Sequence, residues 1–305
     1  MSWLYAWLFW TGVSAGALTW LLIHHLTLGR WGENWRPLAG AAARALPLMA
    51  VAMALWCGQT GALFPWDHFP AHRRAFYSPF PVCGRTGFSL LLWTVFAFRL
   101  SRPGRRQGAA AAGLLSLLLL GTLLSFDLVM SLDPHFYSSL FGLLVLLGWA
   151  LSGLAVLVLL SPPDQVRCHD WGGLLLACLM LLTYLDFAQL LILWSGNLPE
   201  ESAWLQVRVW GAWQPLAAAL LVAFAAAPFL LLLAGPLKRR PGFVRGMAAW
   251  LLLGCALHTY WLMWPAASTR LVLAPSALGA WLVLGGGWLL NFTFWRRRLG
   301  RLRAE

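Results

Sequence analysis

The chain has 305 residues, of which 60% are hydrophobic and only 10% are charged, and its mean hydropathy is +0.70. About a quarter of the residues of soluble domains are charged, so this composition excludes an ordinary soluble domain and indicates a chain dissolved in lipid. No polar stretch is long enough to fold outside a bilayer, which predicts one membrane domain over 1–305. The net charge of +12 lies in short loops between apolar runs, so we do not expect nucleic acid as a partner.

Apolar runs of about 20 residues recur along the chain, and in lipid each such run is expected to form a helix. The predicted fold is therefore all-α: a polytopic integral membrane protein with about nine transmembrane helices in an up-and-down bundle. The first run begins at Trp3 with no basic leader before it, so it is expected to be a retained span and not a signal peptide. The predicted spans lie near 3–28, 38–60, 83–100, 109–131, 138–161, 172–196, 207–234, 246–264 and 276–295.

The basic residues divide unequally between the two sides that these spans define. Of the 22 lysines and arginines, 17 fall on one side, and the other side has five: Arg73, Arg74, Arg85, Arg208 and Arg270. Basic residues accumulate on the cytoplasmic side of membrane proteins. The N-terminus is therefore expected outside and the C-terminus in the cytoplasm.

The five cysteines are scattered, without the spacing of haem, iron–sulfur or zinc ligands. No metal site is predicted, and any redox metal is expected in a partner protein. Several of the 21 tryptophans fall near predicted span ends, where interfacial anchoring is the expected role. Such tryptophans are Trp31, Trp35, Trp66, Trp194, Trp264 and Trp295.

Among the ionisable residues inside predicted spans, where burial in lipid is costly by roughly 2.5–3.5 kcal/mol, three stand out. These are Asp127, Asp186 and His258. Gln189 follows Asp186 at helical spacing, so the two share one face that points into the bundle. This pattern favours either a proton path or quinone contact through Asp127, Asp186, Gln189 and His258, or an interhelical hydrogen-bond network.

An acid, an imidazole and a phenol cluster where predicted span four ends, at Asp133, His135 and Tyr137. Ser138 or Ser139 could cap the N-terminus of span five, and Asp133 favours a turn before proline. His135 is not needed for capping. Paired with a carboxylate, it could accept a proton from a quinol hydroxyl, although a purely structural turn is the alternative interpretation.

Five stretches of the sequence resemble the NrfD-like membrane subunits of alternative complex III, a bacterial quinol:cytochrome c oxidoreductase. The resemblance is strongest to the second of its two such subunits. The stretches are YAWLFWTGVSAGALTWLLIHHLTLGRWGENWR at 5–36, AFYSPFPVCGRTGFSLLLW at 75–93, FDLVMSLDPHFYSSLFG at 126–142, DFAQLLILWSGNLPEESAWLQVRVWGAW at 186–213 and, more weakly, HTYWLMWP at 258–265.

The resemblance implies a bundle of the NrfD or polysulfide-reductase membrane-subunit type in a bacterial inner membrane. The expected function is to support quinol oxidation or proton transfer without a redox metal of its own, as a subunit and not as an enzyme by itself. Implied partners are a second NrfD-like subunit, a multihaem cytochrome c and an iron–sulfur protein of molybdopterin-oxidoreductase type, with a terminal oxidase as a further candidate. Ubiquinol or menaquinol is the implied ligand, and its candidate contacts are Arg85, Asp133, His135, Tyr137, Trp194 and Asn197.

Two other functions remain open at this point. The chain could be an assembly or stabilising subunit of a terminal oxidase complex, or an unrelated transporter. A transporter is expected to show paired helices broken by glycine or proline in its two halves, and the sequence does not display that pairing.

Overall fold

A computed structural model describes residues 1–102, 104 and 106–301. The described part is helical, without strands, and nine of its helices are long and apolar enough to cross a membrane. The predicted all-α, multi-pass class is thereby confirmed. Spans one to nine are Ser2–Thr27, Arg36–Cys57, Pro79–Leu100, Gln107–Leu132, Phe141–Leu160, Cys168–Gly196, Gln214–Leu233, Pro241–Ala266 and Pro275–Gly300.

Two local predictions are wrong. Span seven begins at Gln214 and not near 207, because a short α-helix, Pro199–Leu205, and a π-helical turn, Gln206–Trp210, precede it. Span five begins at Phe141 without a side-chain cap. The Ser138 hydroxyl is instead hydrogen-bonded to the side-chain oxygen of Gln189 in span six.

Prolines explain the irregularities inside two spans. Span two consists of the helices Arg36–Ala43 and Leu46–Cys57, which are interrupted just before Pro47. A proline ring clashes with the carbonyl four residues earlier, so the helix cannot run straight through this point. In span seven a π-helical stretch, Leu220–Ala226, precedes Pro228, and the Trp250 indole donates to the Ala223 carbonyl in that stretch. This indole therefore supplies a hydrogen-bond donor to a backbone carbonyl of the widened π-helical turn.

Span one is the central helix, and its closest contact is with span five. The share of residues buried inside the protein is 89% in span one and 11% in span seven. At Gly16 an added Cβ would lie 1.9 Å from the Trp149 carbonyl oxygen, and at Gly153 it would lie 2.3 Å from the Gly16 backbone. Only glycine lets the two backbones approach this closely.

Tryptophan side chains connect the interior helices through their indole N–H groups. Trp7 donates to the Met49 carbonyl in span two, and Trp20 donates to the Ala150 carbonyl in span five. Buried indoles usually find such an acceptor. Of the predicted anchoring set, Trp35, Trp66 and Trp264 are buried inside the protein, and the Trp35 indole N–H has no acceptor among the described residues.

A disulfide that the sequence did not predict joins Cys57, the last residue of span two, to Cys83 in the first turns of span three. The Cα atoms of the two cysteines are 6.2 Å apart, within the usual range for such a bridge. It closes the loop 58–78 on the side with few basic residues. Cys168, Cys178 and Cys255 are free and buried.

The contact between spans one and five generates a stability prediction. We expect Gly16→Ala to lower the free energy of unfolding by roughly 1–3 kcal/mol, because the new methyl group overlaps the Trp149 carbonyl. The measurement is unfolding of the purified chain in mixed micelles. Gly148→Ala in span five is the matched control, since its Cβ meets no atom within 4 Å. Equal losses in the two variants would contradict the assignment.

Candidate functional site

The polar side chains of the outer half form two clusters, where "outer" denotes the membrane side of the loop 58–78. The first, here the Arg85 cluster, lies between spans three and four. The second, the Asp186 cluster, lies between spans six and eight. The turn 133–138 contacts both clusters.

An ion pair forms the centre of the Arg85 cluster. Arg85 Nε donates to Asp127 Oδ2, and Arg85 Nη2 donates to Asp127 Oδ1. Both distances are 2.8 Å. Asp127 is 1% exposed, and Arg85 also donates to the Phe76 carbonyl while its guanidinium lies 3.9 Å from the centre of the Phe76 ring. A bidentate pair of this kind is a strong, charge-assisted contact. Both carboxylate oxygens of Asp127 are therefore engaged by one arginine.

Two tyrosines and a second arginine surround this pair. The Arg73 guanidinium lies 4.2 Å from the centre of the Tyr137 ring. Burial raises the pKa of Tyr77, and the nearby Asp127 charge adds to this while Arg73 and Arg85 oppose it. Tyr77 therefore remains a neutral phenol beside the ion pair at neutral pH.

The Asp186 cluster is built around a contact between an acid and an imidazole. Asp186 Oδ1 in span six lies 3.1 Å from His258 Nε2 in span eight. The Asp186 side chain is 34% exposed on the outside of the bundle, whereas that of His258 is 10% exposed. The pair is thus reached from the outside of the bundle through Asp186.

Gln189 lies one turn from Asp186 toward the outer side and is buried against Ser138. Its side-chain amide nitrogen has no hydrogen-bond partner in the described part of the chain. On the other side of His258 there is a small cavity that Leu8, Val129 and Trp149 also line. The cavity has room for about one water molecule, and its walls are mostly apolar. It gives His258 space but not a continuous hydrogen-bonded route.

Arg208 covers the outer end of the Asp186 cluster. This buried side chain donates to the carbonyls of Trp204 and Leu262, and its guanidinium lies 3.9 Å from the centre of the Trp204 ring. Burial lowers the pKa of Arg208 to about 9, so its positive charge persists at neutral pH. The charge stands at the C-terminal end of span eight, where the helix dipole favours a cation.

Aromatic contacts connect Arg208 to the pair below it and to the turn 133–138. The Trp261 indole donates to the Arg208 carbonyl, and its ring centroid lies 5.9 Å from that of His258. Trp204 stacks on Phe136 with the ring centroids 4.3 Å apart. The two clusters are therefore mechanically connected through packed rings.

The candidate residues fall into separate places and not into one pocket. Asp186, Gln189 and His258 belong to the Asp186 cluster, whereas Asp127, Arg85 and Tyr137 belong to the Arg85 cluster. Asp133 accepts a hydrogen bond from the His135 amide, as expected for a turn. Trp194 is exposed, and Asn197 ends span six in a left-handed conformation, which is a common helix terminator.

Sequence reasoning missed three features of this region. It did not pair Arg85 with Asp127, which lie 42 positions apart, and it did not assign a role to Arg208. It also missed the disulfide. A signal existed for the first feature, since an arginine and an acid near the outer ends of consecutive antiparallel spans lie at similar depth.

No group of three or more histidine, cysteine, aspartate or glutamate side chains suited to a metal ion occurs in the described residues. Searches against known protein families and against curated proteins find no match to the chain.

The Arg85–Asp127 pair generates the second prediction. We expect Asp127→Asn to lower the free energy of unfolding by roughly 2 kcal/mol, because the Arg85 charge loses its counterion in a site with little water. The measurement is detergent-induced unfolding of the purified chain. The control is Asp170→Asn, which alters an exposed acid in the first turn of span six.

A double variant tests whether the loss comes from the pair itself. Arg85→Gln combined with Asp127→Asn should be less destabilised than the sum of the single variants, since neither charge is then left alone. Additive losses would show that the two side chains contribute independently.

Proposed function

We propose that this chain is the membrane subunit of a bacterial respiratory quinol:electron-acceptor oxidoreductase. In this proposal the Asp186–His258 pair receives a proton from the quinol. The observation that supports the proposal most is this contact inside the membrane, open on the lipid side through Asp186. The resemblance of five stretches to NrfD-like subunits of alternative complex III points to the same chemistry.

Quinol oxidation releases two protons and two electrons, so the reaction needs a base near the quinol hydroxyl and a separate electron acceptor. A carboxylate in contact with an imidazole is a suitable base, because the proton that one group receives is shared with the other. The substrate reaches such a pair from the lipid, where quinol dissolves. Electrons pass to a redox partner, for which a multihaem cytochrome c or an iron–sulfur protein is the candidate.

The residues around the Asp186–His258 pair are suited to contact the polar head group of a quinol that approaches from the lipid. Asp186 offers a carboxylate oxygen, and Gln189 has a free amide donor one turn toward the outer side. The Arg208 charge at the outer end favours negative charge nearby, which helps a hydroxyl to lose its proton. The cavity beyond His258 is too small for a quinone ring, so the substrate is proposed to approach on the Asp186 side.

The exposed face of span six is suited to a partner helix. Large side chains recur there with alternating spacings of four and three residues, which is the pattern of a helix–helix seam. Tyr184 in this seam is 63% exposed near the centre of the span, where its hydroxyl meets no acceptor in lipid. A second integral membrane subunit is therefore proposed to cover this face, which comprises Met180, Tyr184, Phe187, Leu191 and Trp194.

The proposed orientation places the N-terminus outside and the C-terminus in the cytoplasm. Two independent features support it. The loops with few basic residues are expected outside, and the Cys57–Cys83 disulfide lies on that same side. Disulfides persist in oxidising compartments such as the periplasm and are rare in the cytosol.

The third prediction tests the proposed proton acceptor. We expect Asp186→Asn to reduce quinol oxidation by the assembled complex about 10²-fold or more, because the amide cannot take up the proton. His258→Gln should have a similar effect. The measurement is the turnover of complex purified from native membranes through a tag on this chain, with its dependence on pH.

Two comparisons make this test specific. Asp170→Asn alters an acid of span six at the opposite end and should leave turnover unchanged. The yield of complex must be equal in all variants, so that lost assembly is separated from lost chemistry. Full turnover in both Asp186→Asn and His258→Gln would exclude the pair as proton acceptor. Lost assembly in both would favour the assembly-subunit alternative.

The fourth prediction concerns orientation. In intact cells, a membrane-impermeant maleimide should label the chain only after treatment with a reductant, because Cys57 and Cys83 are joined and face outward. Cys57→Ser should be labelled without reductant through the freed Cys83, and the double serine variant should not be labelled at all. Labelling that requires broken membranes would reverse the proposed orientation.

A further inference from the structure

Arg44 is a buried arginine at the interruption of span two, just before Pro47. The residue is 5% exposed. Its guanidinium carbon lies 4.7 Å from the ring centres of both Phe98 in span three and Trp295 in span nine. Two aromatic faces from different spans thus hold one cation in place.

No carboxylate pairs with Arg44 in the part of the chain that the structure describes. Its Nε atom is enclosed without an acceptor. The charged groups close enough to influence it are Arg102 and Arg298, which are both positive. Glu33 and Asp164, the acids of the neighbouring loops, are bound to Arg167 instead. A buried cation among cations is unstable unless an anion is supplied from outside.

Residues of spans two, three and nine pack closely around Arg44. An added Cβ at Gly40, one turn before Arg44, would lie 2.7 Å from the Ser101 hydroxyl at the end of span three. Arg298 lies near the same Trp295 ring, with its guanidinium carbon 5.5 Å from the ring centre. Phe98 is two residues from the end of span three. The cluster therefore stands near the ends of spans three and nine.

We propose that Arg44, Arg102 and Arg298 bind the phosphate group of an anionic phospholipid between spans two, three and nine. Guanidinium groups match phosphate oxygens in shape and charge, and the two rings orient the Arg44 fork for that contact. Basic pockets between transmembrane helices are a known way to hold lipids such as cardiolipin. The site is independent of the proposed quinol chemistry, which lies at the other end of the bundle.

The test uses the whole chain in nanodiscs of phosphatidylcholine alone or of phosphatidylcholine mixed with cardiolipin. Native mass spectrometry of the released protein counts the retained cardiolipin. We expect the unaltered chain to retain cardiolipin and Arg44→Gln to bind it about tenfold more weakly, since a charge-assisted contact is lost. Arg298→Gln should weaken retention as well.

The matched control is Arg297→Gln, which removes one exposed positive charge from span nine next to the cluster and should leave retention unchanged. Equal retention in Arg44→Gln, Arg298→Gln and Arg297→Gln would overturn the proposal. Arg298 is exposed, so its variant decides the question if Arg44→Gln does not fold. A second arm adds inorganic phosphate to nanodiscs of phosphatidylcholine alone. If inorganic phosphate raises the thermal stability as much as cardiolipin does, the ligand is a soluble anion and the phospholipid is excluded.

Discussion

The close approach of span one to span five at Gly16 and Gly153 is the constraint on which the rest of the structure depends. Helices in lipid gain no hydrophobic energy by associating, so their packing relies on close backbone contact and interhelical hydrogen bonds. With span one at the centre, its tryptophans reach carbonyls in spans two and five. Spans two, three, four, eight and nine also contact span one directly.

Each buried charge in the membrane domain is stabilised in a different way. Arg85 and Asp127 neutralise each other, and Arg208 is bound by two carbonyls at the end of span eight. Asp186 contacts His258 and remains partly exposed. The two acids therefore differ in their surroundings: Asp127 is enclosed beside an arginine, whereas Asp186 contacts an imidazole and is partly open to the outside of the bundle.

Two interruptions of regular helix determine where the buried Arg44 and Arg208 side chains lie. The break before Pro47 places Arg44 between two aromatic rings, and the π-helical turn 206–210 places Arg208 over Trp204. Both arginines stand near the ends of the membrane domain, one on each side. Irregular backbone in lipid is tolerated where side chains satisfy its freed groups, as the Trp250 indole does for Ala223.

The sequence by itself determined the class of the protein and the number of its spans. Backbone hydrogen bonds in lipid are made within each helix, so hydrophobic length alone defines a span. The sequence also singled out Asp127, Asp186 and His258, because an ionisable group in an apolar run is visible without a fold. Only the tertiary structure decided their partners. Asp186 and His258 lie 72 positions apart, and their contact depends on how spans six and eight rotate and pack, which local sequence does not encode.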